Sequence, residues 1–316
     1  MQVFELPEIR RALNYPDAIQ RMRDALVALS RGECETPMPM HLDIVRESAE
    51  VHIKSSYRRG GRYFALKIAS SFPGNTAGGL STGNGMVLLC SADTGAPIAV
   101  LADEGWLTDI RTAAAAAMVA RELKRADTSL GILGAGIQAR LQARLHAEVL
   151  RLETIWIWGR NPDRAEACRA DIERMLPNAC VRLAPTPSAA AQNATLIVTA
   201  TASREPLLSL NELQPGTHIS AVGSDSPGKQ EIDPAILRHA ALILADSRPQ
   251  CEKLGELQHA PDQWERAIEI GAFCESGAEW DRGGITVCDY TGVGVEDLYI
   301  AEYCWERLAA HKETNA

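Results

Sequence analysis

The chain has 316 residues, of which 46% are hydrophobic and 23% are charged, a composition typical of a globular protein rather than a disordered or fibrous one. Its formal net charge of −9 argues against a general affinity for nucleic acids or anionic membranes, because both select basic surfaces. The length predicts two domains, with a core large enough for an enzyme that acts on small molecules.

Neither an export signal nor a membrane span is predicted. The start, Met1 to Glu5, lacks a basic segment followed by an apolar stretch, and no later window holds 18 consecutive apolar residues. The eight cysteines are scattered, with no C-x-x-C pair, and no H-E-x-x-H sequence occurs. We therefore expect a soluble, cytoplasmic protein with reduced cysteines and no metal site.

The first 120 residues predict an α+β domain. Apolar side chains recur at helical spacing over residues 16–30, and alternating strands follow near residues 52, 65 and 87. Glycine- and proline-rich turns separate these strands. A closing helix is predicted over 295–310, and the sequence does not decide which domain it joins.

From Ser129 to Cys288, short apolar runs alternate with helical stretches. This pattern predicts an α/β fold, a Rossmann-type doubly wound parallel sheet. Between the first two strands a helix is predicted over 138–150. The predicted strands lie at 130–133, 154–158, 181–183, 196–200, 218–222, 242–245 and 285–288.

A glycine loop joins the first of these strands to its helix. Its sequence, Gly134-Ala135-Gly136-Ile137-Gln138-Ala139, has the G-x-G-x-x-A spacing of a dinucleotide site. Gly134 permits the tight turn, Gly136 lets the backbone approach a pyrophosphate, and Ala139 allows close packing of helix and strand. The helix N-terminus attracts the phosphates. The alternative is a tight turn without a ligand.

The second strand ends without the acidic residue that usually binds the ribose hydroxyls of NAD. It reads Trp158-Gly159-Arg160-Asn161, and Arg164 follows. Arg160 and Arg164 would attract a 2′-phosphate, so NADP(H) is favoured, and NAD(H) remains possible. The alternative is that both arginines are ordinary surface charges on the next helix.

Polar residues follow the ends of three later strands. Thr199 and Thr201 lie at the end of one, Asp225 follows the next, and Asp246 follows another. Ligands of open α/β sheets bind outside the carboxyl ends of the strands, where a carboxylate can transfer a proton. For Asp225 the alternative is a polar turn, and for Asp246 it is a cap on the turn at Ser247.

Taken together, several short motifs resemble the ornithine cyclodeaminase and mu-crystallin family over nearly the whole chain. These motifs are Leu66-Lys67-Ile68, Phe72-Pro73-Gly74-Asn75, Thr108-Asp109-Ile110-Arg111-Thr112-Ala113-Ala114, Gly134 to Ala139, Gly223-Ser224-Asp225, Pro227-Gly228-Lys229-Gln230-Glu231 and Gly292 to Leu298.

The resemblance implies a homodimer and two domains with different functions. Residues 1–118 with 294–316 would form a substrate-binding and dimerisation domain, and residues 119–293 the dinucleotide-binding domain. It also implies NAD(P)-dependent chemistry at the Cα–N bond of a small amino or imino acid.

The resemblance also implies roles for individual residues. Lys67 and Arg111 would hold the substrate carboxylate, and Asp225 together with Lys67 would be catalytic. Thr112 matches a phosphate contact, and Val222 and Gly292 are counted with the cofactor residues.

Two of these roles have support from the residues themselves. Arg111 is expected near the start of a helix over 113–117, where the helix dipole and the guanidinium would both favour an anion. Lys67 lies within an apolar stretch, where burial without an anionic partner would be costly. The alternatives are a surface salt bridge for Arg111 and a solvent-facing edge-strand lysine for Lys67.

One position departs from the family pattern. Where many relatives read Thr-Pro-x-Arg, this chain reads Thr36-Pro37-Met38-Pro39, so the basic residue expected at Pro39 is missing. His41, Arg46 and Arg62 are candidates to replace it, and the sequence does not choose among them. The substrate's side chain therefore stays open.

Three functions are compatible with these motifs. The leading one is an imine (ketimine) reductase or amino-acid dehydrogenase. The second is an ornithine cyclodeaminase, which needs an anion for the second amino group, and in the strand before Lys67 only Glu50 offers one. The third is an NADP-binding, mu-crystallin-like protein with little turnover, which the joint presence of Lys67, Arg111 and Asp225 disfavours. The substrate, reaction direction and cofactor preference are left open.

Overall fold

A computed structural model describes the backbone of residues 1–314, and their side chains apart from those of residues 76, 77 and 311–314. The chain divides into two compact units, residues 1–111 with the segment from Val293 onward, and residues 112–292. The division at residue 111 falls inside one long helix, which also contains the predicted boundary at 118. The roles of the two predicted domains stay a prediction.

The first unit is built on a seven-stranded, mainly antiparallel sheet with strand order β1-β7-β6-β5-β4-β2, in which β3 also pairs with β4. Only β1 and β7 pair in parallel among the described strands of this sheet. The strands are β1 (Gln2–Glu5), β2 (Cys34–Glu35), β3 (Met40–Ile44), β4 (Ala49–Arg58), β5 (Tyr63–Ser71), β6 (Gly83–Ser91) and β7 (Pro97–Ala102).

Helices cover one face of this sheet. Helices α1 (Leu6–Ala12) and α2 (Tyr15–Ser30) precede the strands, and α3 (Trp106–Glu122) follows them. Asn14 caps α2 by accepting a hydrogen bond from the Asp17 amide, which satisfies a backbone donor that has no helical partner. The last helix, Gly294–Thr314, is α10 of the chain and packs on α2, β4 and β5.

The opposite face of the sheet carries a row of exposed apolar side chains. Met40, Ile53, Ile68 and Met86 are direct cross-strand neighbours in the register of β3, β4, β5 and β6. Met40 is 56% exposed, and Ile68 and Met86 are each 43% exposed. Since side chains alternate between the two faces of a strand, Ala65 and Lys67 of β5 are buried on the other face.

The second unit contains an eight-stranded sheet in which all described pairs are parallel, with strand order β10-β9-β8-β11-β13-β17-β15-β16. The chain enters at β8, proceeds to one edge through β9 and β10, and then returns to fill the other side. This is a doubly wound topology, so the predicted fold class is confirmed. Its strands are β8 (Ser129–Leu133), β9 (Thr154–Trp158), β10 (Cys180–Leu183), β11 (Leu196–Thr199), β13 (His218–Ala221), β15 (Leu242–Ala245), β16 (Ile268–Glu269) and β17 (Thr286–Asp289).

A small additional sheet and six helices complete this unit. Strands β12 (Arg204–Leu208) and β14 (Gln230–Ile232) pair in parallel. The helices are α4 (Ile137–His146), α5 (Pro162–Met175), α6 (Pro187–Ala191), α7 (Pro234–His239), α8 (Arg248–Leu254) and α9 (Ile270–Ser276). Helix α4 ends four residues earlier than predicted, because the His146 carbonyl accepts from both the Val149 and Leu150 amides and closes the helix in a turn.

Within residues 1–314, no helix has both the length and the apolar run that crossing a bilayer would require.

Candidate active site

The glycine loop lies where the strand order reverses. Strand β8 pairs with β9 on one side and with β11 on the other, and ligands of such sheets bind at this reversal. Gly134 has φ +135°, and a Cβ there would lie 2.5 Å from the Ala200 carbonyl oxygen, just beyond β11. Only glycine fits this position, because both its backbone conformation and the approach of Ala200 exclude a side chain.

Gly136 and Ala139, the other two small residues at defined positions of the motif, differ in their surroundings. Gly136 is the N-cap of α4, and a Cβ there would meet no protein atom within 4 Å, so open space adjoins the helix N-terminus. Ala139 is fully buried between the helix and the sheet. The backbone amides at the start of α4 are therefore placed to bind an anion in that space.

A cavity of about 270 Å³ lies beside this loop. Six residues predicted to bind the cofactor line it, namely Gly134, Gly136, Arg160, Asn161, Arg164 and Thr201. Seven further lining residues had no predicted role: Ala135, Trp158, Gly159, Ala200, Ala202, Ser203 and Leu207. Gly159 is required by packing, because a Cβ there would lie 2.8 Å from the Ala135 Cβ.

The charges at one end of the cavity come from the start of α5. Asn161 is the N-cap, and its side chain accepts a hydrogen bond from the Arg164 amide at 2.9 Å. The side chains of Arg160 and Arg164 are exposed. These two guanidinium groups and the α5 N-terminus together favour an anion there.

The remaining residues predicted for the cofactor lie outside this lining. Ile137 is 51% exposed, and the side chain of Gln138 accepts a hydrogen bond from Gln142. Thr112 lies in α3 and Val222 directly follows β13. Gly292 has φ +70° and donates its amide to the Asp246 carboxylate at 2.6 Å.

The side chain of Thr199 binds a buried carboxylate. It is fully buried, and its hydroxyl donates to the Glu231 carboxylate at 2.6 Å. The same carboxylate accepts from the Thr201 amide and hydroxyl and from the Gly223 amide. Burial raises the pKa of Glu231. Glu231 thus connects the loops that follow β11 and β13, a role that its position in the Pro227 to Glu231 motif did not predict.

Other buried carboxylates continue this pattern. Glu256 accepts from the Glu231 amide at 2.8 Å, and Asp289 accepts from the Glu256 and Leu257 amides. Burial raises the pKa of Asp289 to about 7. Asp246 accepts from the amides of Ser247, Thr291 and Gly292. Asp246 was predicted either to transfer a proton or to cap the turn at Ser247. The structure shows the cap, and the same carboxylate also binds the loop at Thr291 and Gly292.

Asp225 lies in the loop after β13, held by its own neighbours. Its Oδ1 accepts from the Lys229 ammonium at 2.6 Å and from the Ser226 hydroxyl at 3.2 Å. The side chain is 41% exposed. A carboxylate that lies beside an ammonium and is partly exposed is placed to exchange a proton with a ligand.

In the first unit, Lys67 and Arg111 lie together in a buried ionic cluster. Lys67 Nζ is 3.1 Å from Asp297 Oδ2, and Arg111 Nη1 is 2.8 Å from Glu296 Oε2, with its Nε 3.4 Å from Asp297 Oδ1. Burial lowers the pKa of Lys67 to about 7, and the positive charges of Arg111 and Lys54 add to this effect. Both acids come from the first turn of α10.

The predicted setting of Arg111 was wrong in one respect. The helix begins at Trp106, so Arg111 is in its second turn rather than near its start. The helix dipole acts mainly on the terminal turn, so the nearby carboxylates, and not the dipole, set its electrostatic surroundings. The alternatives of a surface salt bridge and a solvent-facing lysine are also wrong, because Arg111 is 5% and Lys67 2% exposed.

A third buried cation, overlooked in the sequence, lies beside this cluster. Lys54 is directly opposite Lys67 in the pairing of β4 with β5 and is 6% exposed. The suggested replacements for the missing basic residue at Pro39 have contacts or exposure of their own. His41 binds Asp43, the Arg46 side chain is 94% exposed, and Arg62 lies over the Tyr63 ring. Lys54 is the better candidate for an additional cation.

A larger cavity, about 560 Å³, lies at the opposite ends of the second unit's strands. Its lining includes Arg125, whose guanidinium binds the Asp127 carboxylate and the Gly216 and Thr195 carbonyls. Ligands of doubly wound sheets bind outside the carboxyl ends of the strands, and this cavity lies outside the amino ends. We therefore place the candidate dinucleotide site at the smaller cavity, beside the glycine loop.

Comparison with known proteins agrees with this geometry. The model of the ornithine cyclodeaminase/mu-crystallin family matches residues 2–312. The chain belongs to this family. The resemblance predicted from the sequence motifs is thereby confirmed.

Several members of this family align with the chain over most of their length. A protein of Rhizobium meliloti named as a dehydrogenase is 39% identical over 303 residues, covering 93% of this chain and 91% of the relative. The Delta(1)-pyrroline-2-carboxylate reductase of Bacillus cereus is 30% identical over 317 residues, covering 97% and 96%. The solved structure of the iminosuccinate reductase of Paracoccus denitrificans in complex with NAD⁺ is 30% identical, with a TM-score of 0.88, covering 99% and 97%.

Proposed function

We propose that this chain is an NAD(P)H-dependent oxidoreductase that acts on the Cα–N bond of a small amino or imino acid, as an imine reductase or an amino-acid dehydrogenase. The observation that carries the proposal is the buried cluster of Lys67 and Arg111, in a chain whose other unit has a dinucleotide-type loop beside a cavity. The relatives named as reductases of pyrroline-2-carboxylate and iminosuccinate support the same reaction class.

In this proposal Lys67 and Arg111 bind the substrate's α-carboxylate. Their charges are held in place by Glu296 and Asp297, which lowers the cost of keeping two cations in a buried position. A carboxylate that enters replaces water with charge-assisted hydrogen bonds, and a guanidinium offers a paired geometry for it. Fixing the carboxylate orients Cα and its nitrogen, and orientation is the main rate advantage that such a site provides.

The cavity beside the glycine loop would hold the nicotinamide dinucleotide. The space beside Gly136 and the N-terminus of α4 suits the pyrophosphate. Arg160 and Arg164 suit a 2′-phosphate, so we propose that NADP(H) is preferred over NAD(H). When bound, this cofactor supplies or accepts the hydride at substrate Cα.

Asp225 would exchange the proton on the substrate nitrogen. Its carboxylate lies beside the Lys229 ammonium and is 41% exposed, so during oxidation of an amine it would accept a proton from the substrate ammonium. In the reductive direction the same proton returns to nitrogen. Glu231 acts as a positioning residue for this step, because it binds the Gly223 amide two residues before Asp225.

The surroundings of Lys67 favour this reaction over cyclodeamination of a diamino acid. A second ammonium on the substrate would need a carboxylate, but the residue opposite Lys67 is Lys54, another buried cation. Glu50 lies four residues along the strand, with an oxygen 3.5 Å from the His52 ring. Repulsion by Lys54 would disfavour ornithine.

The deciding experiment follows the absorbance of NADPH, and separately of NADH, with a panel of α-imino and cyclic imino acids that includes pyrroline-2-carboxylate and iminosuccinate. We expect consumption with at least one imino acid, with a higher kcat/KM for NADPH than for NADH. Release of ammonia from ornithine with catalytic NAD, and no imine-dependent consumption, would establish the cyclodeaminase instead. Dinucleotide binding without either activity would instead indicate a dinucleotide-binding protein with little turnover.

Removing the proton-exchanging group should slow turnover while sparing cofactor binding. We expect Asp225→Asn to lower kcat by about 10²- to 10⁴-fold, the usual contribution of a positioned acid or base. Asp262→Asn, in an exposed ion pair with Arg238, is the matched control and should stay within a few-fold of wild type. A kcat for Asp225→Asn within that same range would remove Asp225 from the mechanism.

We also propose that the protein is a homodimer joined through the exposed face of the first unit's sheet. The row of Met40, Ile53, Ile68 and Met86 is continuous across four strands, and Val3 and Leu42 are also exposed, at 50% and 45%. Exposed apolar patches of this kind are typical of protein interfaces. A second copy of the same face would cover it by a two-fold arrangement.

A further inference from the structure

A cluster of histidines and carboxylates lies on the hairpin formed by β3 and β4. His41 is directly opposite His52, and Asp43 is directly opposite Glu50, in the antiparallel register. Because alternate residues of a strand point to the same face, all four side chains project from one face of the hairpin. Opposed residues of such a pair have Cβ atoms about 5 Å apart, close enough for their side chains to share a ligand.

The side chains do converge. The histidine rings lie with centroids 4.7 Å apart at an interplanar angle of 82°. One potential ligand atom from each of His41, Glu50 and His52 lies within 4.8 Å of the other two. His41 Nε2 is 2.9 Å from Asp43 Oδ1, and His52 Nε2 is 3.5 Å from Glu50 Oε2. Each imidazole therefore already has a carboxylate beside it.

We propose that His41, Glu50 and His52 bind a divalent transition-metal ion, with Zn²⁺ the best match. Two imidazoles and one carboxylate are a donor set that suits zinc, whereas calcium and magnesium prefer oxygen ligands alone. Three protein ligands leave one position of a tetrahedral ion for water or an anion. Asp43, beside His41 Nε2, would be an additional carboxylate that orients that ring.

The site lies on the same sheet face as the buried lysines. His52 is two residues from Lys54, which pairs with Lys67, so His52 is the next residue of β4 that points to this face. Both ligand strands are fixed by pairing with neighbours, β4 being paired with β5 as well as β3. Binding would therefore need small side-chain movements rather than folding of a loop.

These three ligands do not form a linear sequence motif, which is why no metal site was predicted from the sequence. The ligands occur as His41 and, nine and eleven residues later, Glu50 and His52, unlike the short spacings of zinc motifs on helices and loops. Pairing of β3 with β4 is what brings His41 to the other two. The order Glu-x-His on one strand is by itself only a pattern of alternate residues.

The test uses the full-length protein after removal of metals with a chelator and subsequent dialysis. We expect wild type to take up one Zn²⁺ per chain, measured by elemental analysis and titration calorimetry. Co²⁺ in its place should give the visible ligand-field absorption of a low-symmetry, four-coordinate ion. The variants His41→Gln and His52→Gln should each weaken Zn²⁺ binding by about 100-fold or more, since even the loss of a residue that supports a metal ligand costs about 10- to 100-fold.

His239→Gln is the matched control, since that histidine lies on α7 in the other unit and hydrogen-bonds the Ala235 carbonyl of its own helix. It should bind Zn²⁺ like wild type, and His52→Cys should restore binding because a thiolate is also a zinc ligand. If either glutamine variant fails to fold, the rise of the wild-type melting temperature with Zn²⁺ provides the readout instead. Equal Zn²⁺ uptake by wild type and the folded His41→Gln/His52→Gln double variant, or no rise in melting temperature with Zn²⁺, would overturn the proposal.

Discussion

Lys67 is a cation whose charge is sensitive to pH near neutrality. Burial lowers its pKa from 10.5 to about 7, so the ammonium is protonated below about pH 7 and loses its charge as the pH rises through that value. Because the proposed substrate contact requires the charge, we expect kcat/KM for an imino acid to fall by up to about tenfold per pH unit above pH 7. Arginine stays protonated throughout, so in Lys67→Arg this decline should disappear.

The measurement is kcat/KM from pH 6 to pH 9 at saturating reduced cofactor. Lys253→Arg, at an exposed position of α8, provides the control and should keep the wild-type profile. An identical decline in Lys67→Arg and wild type would mean that another group, or the substrate itself, titrates.

Residues of this kind mark what sequence can and cannot reveal. Lys67 and Arg111 lie in motifs that predicted their roles, whereas their partners Glu296 and Asp297 lie in the motif Gly292 to Leu298 but had no predicted role. Lys54 was overlooked because its position opposite Lys67 depends on the register of β4 with β5. Glu231 was similarly missed, because its four donors come from the end of β11 and from the loops after β11 and β13, which meet only in the folded sheet.

At the scale of the element, two glycines of the loop after β8 are expected to have different functions: Gly134 for stability and Gly136 for dinucleotide binding. In Gly134→Ala the new methyl would meet the Ala200 oxygen at 2.5 Å in a left-handed backbone, and we expect the free energy of unfolding to fall by about 2 kcal/mol or more. In Gly136→Ala the backbone φ is −86° and no protein atom lies within 4 Å of the methyl. Its stability should therefore change by less than about 0.5 kcal/mol.

Dinucleotide binding distinguishes the two variants. The Gly136→Ala methyl would occupy the space proposed for the pyrophosphate, so the Kd for NADPH should rise at least about tenfold in this stable variant. Denaturant unfolding and a fluorescence titration with NADPH measure the two effects separately. A Gly136→Ala protein that binds NADPH like wild type would move the pyrophosphate away from the α4 N-terminus.

The elements of the second unit were the best predicted part of the fold. All seven predicted strands match observed strands to within one residue at each end. Parallel strands buried on both faces read as continuous apolar runs, and this signal is local in the sequence. The short strands β12, β14 and β16 were not predicted. Strand β12, which contains charged residues, pairs with the three residues of β14 in a separate small sheet, and β16 has two residues at the edge of the large sheet, so none of them forms a continuous apolar run.

At the scale of the whole molecule, the proposed dimer can be tested through its apolar row. A stable interface buries about 800 Å² on each partner, with few charges at its centre. Ile68→Glu places a carboxylate in the middle of the row, and we expect it to convert the dimer to monomers in sedimentation velocity at micromolar concentration. The cost to the monomer should be small, because this side chain is 43% exposed.

Leu80→Glu serves as the matched charge change, at a 67% exposed position outside the strands of the sheet. It should leave the sedimentation coefficient unchanged. A wild-type protein that sediments as a monomer, or an Ile68→Glu protein that sediments as the wild-type dimer does, would show that this face is not the interface.

The position of α10 in the chain has a consequence for biosynthesis. Arg111 and Glu296 are 185 residues apart in sequence, and a ribosome adds about 5 to 20 residues per second. Roughly 10 to 40 s therefore pass between translation of the arginine and of the glutamate that binds it. Throughout that interval the nascent sheet has neither the carboxylates of Glu296 and Asp297 nor the helix that packs on β4 and β5. The first unit begun on the ribosome is thus the last to be completed, and a message that stops before codon 294 would encode all of the glycine loop and none of the counter-ions for Lys67.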